Sequence, residues 1–205
     1  MRRILHSIII ATLLATGVAA HAAPPPADAA AAIHNIRGFL PDLRFTLEGV
    51  GDKVVTQKAF KGKVVLLYFG YSSCPDVCPT TMAQLAQVMK NLGADANKAQ
   101  IVFVSVDPHR DTPGKLQTYV DAFYKGAIGL TGTEDQIADV ARRYRVAYQI
   151  EKPTTADKDD YVVTHSRGVY IFDQRGRARL LAPGTESVAA LTAGVRNIID
   201  HAAKS

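Results

Sequence analysis

Two stretches constrain the fold of this 205-residue chain most: "KVVLLYFG" (63–70) and "QIVFVSVD" (100–107). Each is a short, nearly unbroken apolar run rich in β-branched and aromatic residues. That pattern marks a strand buried on both faces, the kind found in sheets covered by helices. Between them, Met82, Leu85, Val88, Met89 and Leu92 recur at helical spacing and Gly93 stops the pattern. Pro79 suits the first position of that helix. "TPGKLQTYVDAFYK" (112–125) opens on Thr-Pro and carries Leu116, Tyr119, Val120 and Phe123, which predicts a second helix. "AIGLTG" (127–132) predicts a short strand. Thr133 then caps "EDQIADVARRYRV", with Glu134 and Asp135 at the electropositive helix N-terminus.

The flanks complete the pattern. "LRFTLEGVGDKVVTQ" (43–57) alternates and turns at residues 49–51, as a β-hairpin does. "AYQIE" (147–151) leads into a charged stretch, "KPTTADKDD" (152–160), expected to be an exposed loop. "RGVYIFD" and "RARLLA" are expected to pair as a hairpin around "QRG", and a closing helix is expected from Thr185 to about Ala203. Buried strands alternating with helices, then an antiparallel hairpin, predict an α/β fold. Its central sheet is mixed, flanked by helices and preceded by an N-terminal β-hairpin. The order is compatible with a thioredoxin-like fold.

The first residues read as a targeting segment. Basic "MRRILH" precedes an uncharged apolar stretch (7–20), and "AHA" (20–22) fits a small-residue cleavage signal. Fourteen residues are few for a spanning helix, which needs about 20. The expected division is a signal peptide, or an uncleaved anchor, over 1–22, an Ala/Pro-rich linker over 23–38, and one folded domain over 39–205. The expected location is exported and periplasmic, soluble or tethered to the inner membrane. Loss of Arg2 and Arg3 takes the 24 basic residues to 22, against 19 acidic ones. These charges are dispersed, and only "RRYR" (142–145) is dense, within a helical pattern. Nothing here points to nucleic acid as a partner.

Both cysteines lie in "YFGYSSCPDVCPTTM" (68–82), at positions 74 and 78. Two cysteines make no disulfide scaffold, and a bridge across so short a loop removes little unfolded-chain entropy. A functional pair fits better. Cys74 and Cys78 fall between the carboxyl end of a buried strand and a helix N-terminus, where sites gather in open sheets and thiolates are favoured. Paired thiolates select soft ions. Iron–sulfur clusters and structural zinc ask for about four ligands. Cu(I) accepts low coordination, so two sulfurs and one nitrogen suffice. Of six histidines, His6 and His21 belong to the signal, and His34 and His201 lie near the domain's ends. His109, in "VSVDPHRDTP", and His165, in "VVTHSRGVYIFD", remain as nitrogen donors. The spacing suits a disulfide as well as a metal. Asp107, Asp111 and Thr112 read as turn and cap residues, and Asp76 as an exposed loop residue beside the pair.

These motifs, taken with "IGLTGTEDQIADVARRYRV", resemble the Sco/SenC family in the same order, over most of the chain after about Leu40. The resemblance implies a thioredoxin-like copper protein that supports assembly of the binuclear copper site in cytochrome c oxidase. It implies Cys74, Cys78 and His165 as ligands of copper, as Cu(I) or Cu(II). Implied partners are the apo copper-site subunit of the oxidase, an upstream copper donor, and a reducing thioredoxin-like protein. Two positions depart from the family pattern: Thr164 stands where Asp is common, and His109 where Glu is frequent. Other readings stay open. The Cys74–Cys78 pair would serve a thiol–disulfide reductase acting on an apo copper site, although the chain has no proline between Pro153 and Pro183 where thioredoxins place one. A copper or redox sensor would use the same residues. A peroxidase would need a peroxide-binding neighbour, for which Thr80 and Thr81 are loose candidates.

Overall fold

In this computed structural model the described residues are 33–153, 155–184 and 187–202. The expected signal segment, most of the linker, and the expected helix ends Thr185 and Ala203 lie outside them. In chain order the strands are β1 (His34–Asn35), β2 (Thr46–Gly49), β3 (Lys53–Thr56), β4 (Val64–Gly70), β5 (Ala99–Ser105), β6 (Ile128–Leu130), β7 (Tyr148–Ile150), β8 (Val163–His165), β9 (Val169–Phe172) and β10 (Ala178–Ala182). The helices are α1 (Val77–Leu92), α2 (Pro113–Asp121), α3 (Glu134–Arg143) and α4 (Val188–Ala202).

The two apolar runs become β4 and β5, buried along their whole lengths and paired in parallel from Val64↔Ala99 to Gly70↔Ser105. They sit inside a six-stranded sheet of order β1-β10-β9-β4-β5-β6. β9 runs antiparallel to β4 and β10 antiparallel to β9, so the sheet is mixed. Burial on both faces explains the unbroken hydrophobicity. Each fully buried Leu, Val or Phe contributes about 1.5–3 kcal/mol. Helix α1 carries Met82, Leu85, Val88, Met89 and Leu92 into the core and packs on α4, which buries Leu191, Val195, Ile198 and Ile199. The N-terminal hairpin β2–β3 docks beside β6 through a two-way backbone pairing of Glu48 with Thr131. That pairing covers the exposed edge of β6. The result is the predicted α/β arrangement, a mixed sheet flanked by helices with an N-terminal hairpin.

Three details differ from expectation. β1 pairs with β10 and Ile36 is buried, so the sheet takes in residues that the sequence reading assigned to the 23–38 linker. Helix α1 begins at Val77, with Asp76 as its N-cap residue, so Pro79 occupies the third helical position. Proline is tolerated there because the first-turn N–H groups have no helical acceptor. Third, the segment around the 152–160 loop is flanked by a two-stranded ribbon, β7 with β8, in the register Tyr148↔His165 to Ile150↔Val163. No helix among the described residues is long and apolar enough to cross a membrane.

Candidate metal centre

The carboxyl end of β4 delivers the chain into the turn that carries Cys74. Cys78 follows inside the first turn of α1, fully buried, while Cys74 is half-buried. The two residues thus differ in environment although one short loop holds both. Gly70 makes room for the pair: a Cβ there would lie 2.7 Å from the Cys78 Sγ and 3.0 Å from Phe103 Cζ. His165, the last residue of β8, arrives from the other side. The Cys74 Sγ, the Cys78 Sγ and a ring nitrogen of His165 all lie within 4.8 Å of one another.

The ring of His165 is oriented by its surroundings. Its Nδ1 lies 2.9 Å from the Ser166 carbonyl oxygen, and a carbonyl only accepts, so Nδ1 carries the proton. The neutral ring therefore presents a bare Nε2, 3.3 Å from the Cys78 Sγ. Burial holds the imidazole below its ordinary pKa, against the Ser166 bond, so at neutral pH it is an uncharged donor. Tyr68 and Tyr71 stand edge-on to it, with ring centroids 6.2 and 5.9 Å away.

The two thiols are set apart electrostatically. Burial raises the Cys74 thiol, but the backbone N–H groups of Asp76, Cys78 and Val77 and the Cys78 side chain outweigh burial and leave it below the usual value. Those N–H groups are the free donors of a helix N-terminus. Burial, reinforced by the neighbouring Cys74, pushes the Cys78 thiol up to about 12. The Tyr68 hydroxyl is buried without a hydrogen-bond partner, although the Cys78 thiol and Thr81 stand beside it. Burial keeps that phenol protonated. It is an unused donor next to a sulfur that would become anionic on binding a metal. Two sulfurs and one bare imidazole nitrogen, backed by such a donor, fit a soft ion of low coordination number.

The other candidates fall elsewhere. His109 is exposed and lies 3.0 Å from Glu134 Oε1, outside the cluster. Asp76 is exposed and makes no side-chain cap bond. Thr164 is exposed opposite Gln149, on the strand face away from Val163 and His165. Thr112 caps α2 as expected. Asp107 and Asp111, read from sequence as turn residues, are fully buried. Asp111 accepts from the Ser72 N–H at 2.9 Å, from the Ser72 hydroxyl, and from the Ser105 hydroxyl at 2.7 Å. Asp107 pairs with Arg110 and accepts from the Tyr161 hydroxyl at 2.6 Å. Sequence reasoning passed over Arg110 and Tyr161. The available signal was two carboxylates and an arginine placed just after a fully buried strand.

Known proteins resemble this chain over most of its length. The SCO1/SenC family model matches residues 40–200. The mitochondrial SCO2 homologue of Bos taurus is 38% identical over 164 residues, covering 76% of this chain and 61% of that protein. Mitochondrial SCO2 of Saccharomyces cerevisiae is 39% identical over 134 residues, covering 65% of this chain and 44% of its own length. The chain thus spans roughly half the length of such curated relatives. Among solved structures, Arabidopsis thaliana ScoI with copper bound aligns with a TM-score of 0.71 at 35% identity, over 78% of this chain and 98% of that one. Bradyrhizobium japonicum ScoI with copper bound gives 0.69 at 34% identity, over 77% and 98%. The family match runs through both cysteines, the buried aspartates and His165, and the chain belongs to the SCO1/SenC family.

Proposed function

We propose that this protein is an exported copper carrier that holds Cu(I) between Cys74, Cys78 and His165 and hands it to the binuclear copper site of cytochrome c oxidase. The single observation that carries the reading is the convergence of two thiols and one bare imidazole nitrogen within 4.8 Å, beside the carboxyl end of β4. Membership of the family, and the copper bound to its Arabidopsis and Bradyrhizobium members, supports copper as the cargo. Copper is cargo here, so the site has to release it. Three ligands leave room for an incoming thiolate or imidazole, and Cys74 is the half-exposed ligand where exchange begins. Binding displaces the Cys78 proton, and Tyr68 stands ready to donate to the resulting thiolate.

The asymmetry of the pair favours a second activity in the same protein. Cys74, partly exposed and thiolate-prone, is built to attack a disulfide, and buried Cys78 to resolve the mixed disulfide. One turnover passes two electrons to the target disulfide and leaves a Cys74–Cys78 disulfide. That bond removes both sulfur ligands and switches copper binding off until a reducing partner restores the thiols.

The test uses the reduced protein, a chromophoric Cu(I) competitor, and the variants Cys74→Ala, Cys78→Ala and His165→Ala. One tight copper per chain in wild type is expected, with each substitution weakening it by about tenfold or more. Undiminished binding in His165→Ala would remove the histidine from the ligand set.

A further inference from the structure

The third candidate ligand belongs to a ribbon outside the main sheet. β7 and β8 have three residues each, and an isolated two-stranded ribbon is marginal on its own. Something else must hold His165 against the cysteines. The five residues that follow Val106, just past β5, reach both ligand-bearing segments.

Asp107 has no exposed side-chain surface and the Arg110 side chain is 10% exposed, with Arg110 Nε 2.5 Å from Asp107 Oδ2. The other carboxylate oxygen accepts the Tyr161 hydroxyl at 2.6 Å. Arg110 Nη1 donates to the carbonyls of Asp159 and Tyr161, both at 2.9 Å. Its guanidinium lies 3.7 Å from the Tyr161 ring centroid and 5.5 Å from that of Tyr71, whose ring borders His165. Arg110 is therefore wedged between the strand that leads to His165 and the turn that leads to Cys74. One residue further on, Asp111 fixes Ser72, two residues before Cys74. Burying a charge pair costs desolvation that hydrogen bonds offset; both Asp107 oxygens are satisfied, while Arg110 Nη2 is buried without a hydrogen-bond partner among the described residues. Tyr161 and Asp159 on one side and Ser72 on the other tie this loop to the two segments that carry the ligands.

We infer that Asp107, Arg110 and Tyr161 form a latch that positions His165 over the cysteine pair, while Asp111 holds the cysteine turn through Ser72. The inference rests on the copper-carrier reading and goes beyond it. These groups touch no cargo. They act by keeping the ribbon docked, so their effect is on the fraction of molecules with a complete site. The apparent dissociation constant is the intrinsic one divided by that fraction, so a ribbon docked about a tenth of the time binds about tenfold more weakly.

The test is a double-mutant cycle on the reduced full chain, read by Cu(I) competition. Tyr161→Phe removes only the hydroxyl and leaves the ring under Arg110. Arg110→Lys keeps the charge but loses the planar fork to the two carbonyls. Each is expected to weaken Cu(I) binding by about tenfold. Each is also expected to speed amide exchange at Glu151 and Ser166, whose N–H groups bond across the ribbon to Val162 and Ala147. In a His165→Ala background the same substitutions are expected to leave Cu(I) affinity unchanged, because no ligand remains to position. Equal losses in both backgrounds would show a general structural effect and overturn the latch. So would full affinity in both single variants. If His165→Ala alone leaves affinity intact, the ligand assignment falls first and takes the latch with it.

Discussion

At the scale of the residue, Cys74 and Cys78 are four positions apart yet chemically unlike. Cys74 precedes α1 and collects N–H groups from its first turn, while Cys78 sits buried inside that turn, its sulfur against Gly70. The thiolate is the reactive form, so reactivity follows both exposure and pKa. With limiting iodoacetamide at pH 7.5, Cys74 is expected to be alkylated at least about tenfold faster than Cys78. Peptide mass spectrometry of partly labelled protein reads the ratio. Equal labelling would contradict the assignment of Cys74 as the attacking sulfur. This pair was legible in the sequence because its motif is local. His165 was narrowed to one of two histidines and joined to the pair by resemblance. The latch was not legible, because Asp107 and Tyr161 are 54 positions apart and only the tertiary fold brings the two together.

At the scale of the element, long periodic segments were readable and short ones were not. β4, β5 and α1 carry enough burial to announce themselves, whereas β1 has two residues and β7 and β8 three each. Strands that short show no period, and β7 and β8 are separated by a charged loop. The β9–β10 hairpin was readable, but its chemical lock was not. Asp173 is buried at the turn, accepting from the N–H groups of Arg175 and Arg177 at 3.0 Å and from the Arg177 and Arg179 side chains at 2.8 and 3.0 Å. Burial would raise its pKa, but the Arg177 N–H and the two guanidiniums win and hold the carboxyl below its ordinary value. A carboxyl with a lowered folded pKa stabilises the protein fully above the unfolded value, about 3.9. That stabilisation is lost as pH falls through the folded value. Asp173→Asn is expected to cost about 1–3 kcal/mol at pH 7, since bonds to a charged group are weakened. Urea titrations should show the gap from wild type shrinking only below about pH 4. A gap of constant size down to pH 3 would mean that the carboxylate charge contributes nothing.

At the scale of the whole molecule, the candidate ligands join the main sheet to a separate two-stranded ribbon. Cys74 and Cys78 belong to the β4–α1 junction in the main sheet, and His165 to the separate β7–β8 ribbon. An ion held by all three binds the folded chain more tightly than the unfolded one, so loading stabilises the fold by mass action. At a free ligand concentration of one hundred times Kd the gain is about 2.7 kcal/mol. For a domain of this size each kcal/mol moves Tm by about 2–4 °C, so copper loading should raise Tm by roughly 5–10 °C. Removing Cu(I) with a strong chelator should return the melt to the unloaded position. The two ligand classes separate the contributions. In His165→Ala the cysteines still bind but no longer tie the ribbon to the sheet, so the shift should shrink without vanishing. After oxidation to the Cys74–Cys78 disulfide both sulfurs are spent, and copper should produce no shift at all. Scanning calorimetry on the reduced, oxidised and His165→Ala proteins, each with and without Cu(I), reads all three cases. An equal copper-dependent rise in the oxidised protein would place the stabilising ion away from the cysteines, and the carrier reading could not survive it.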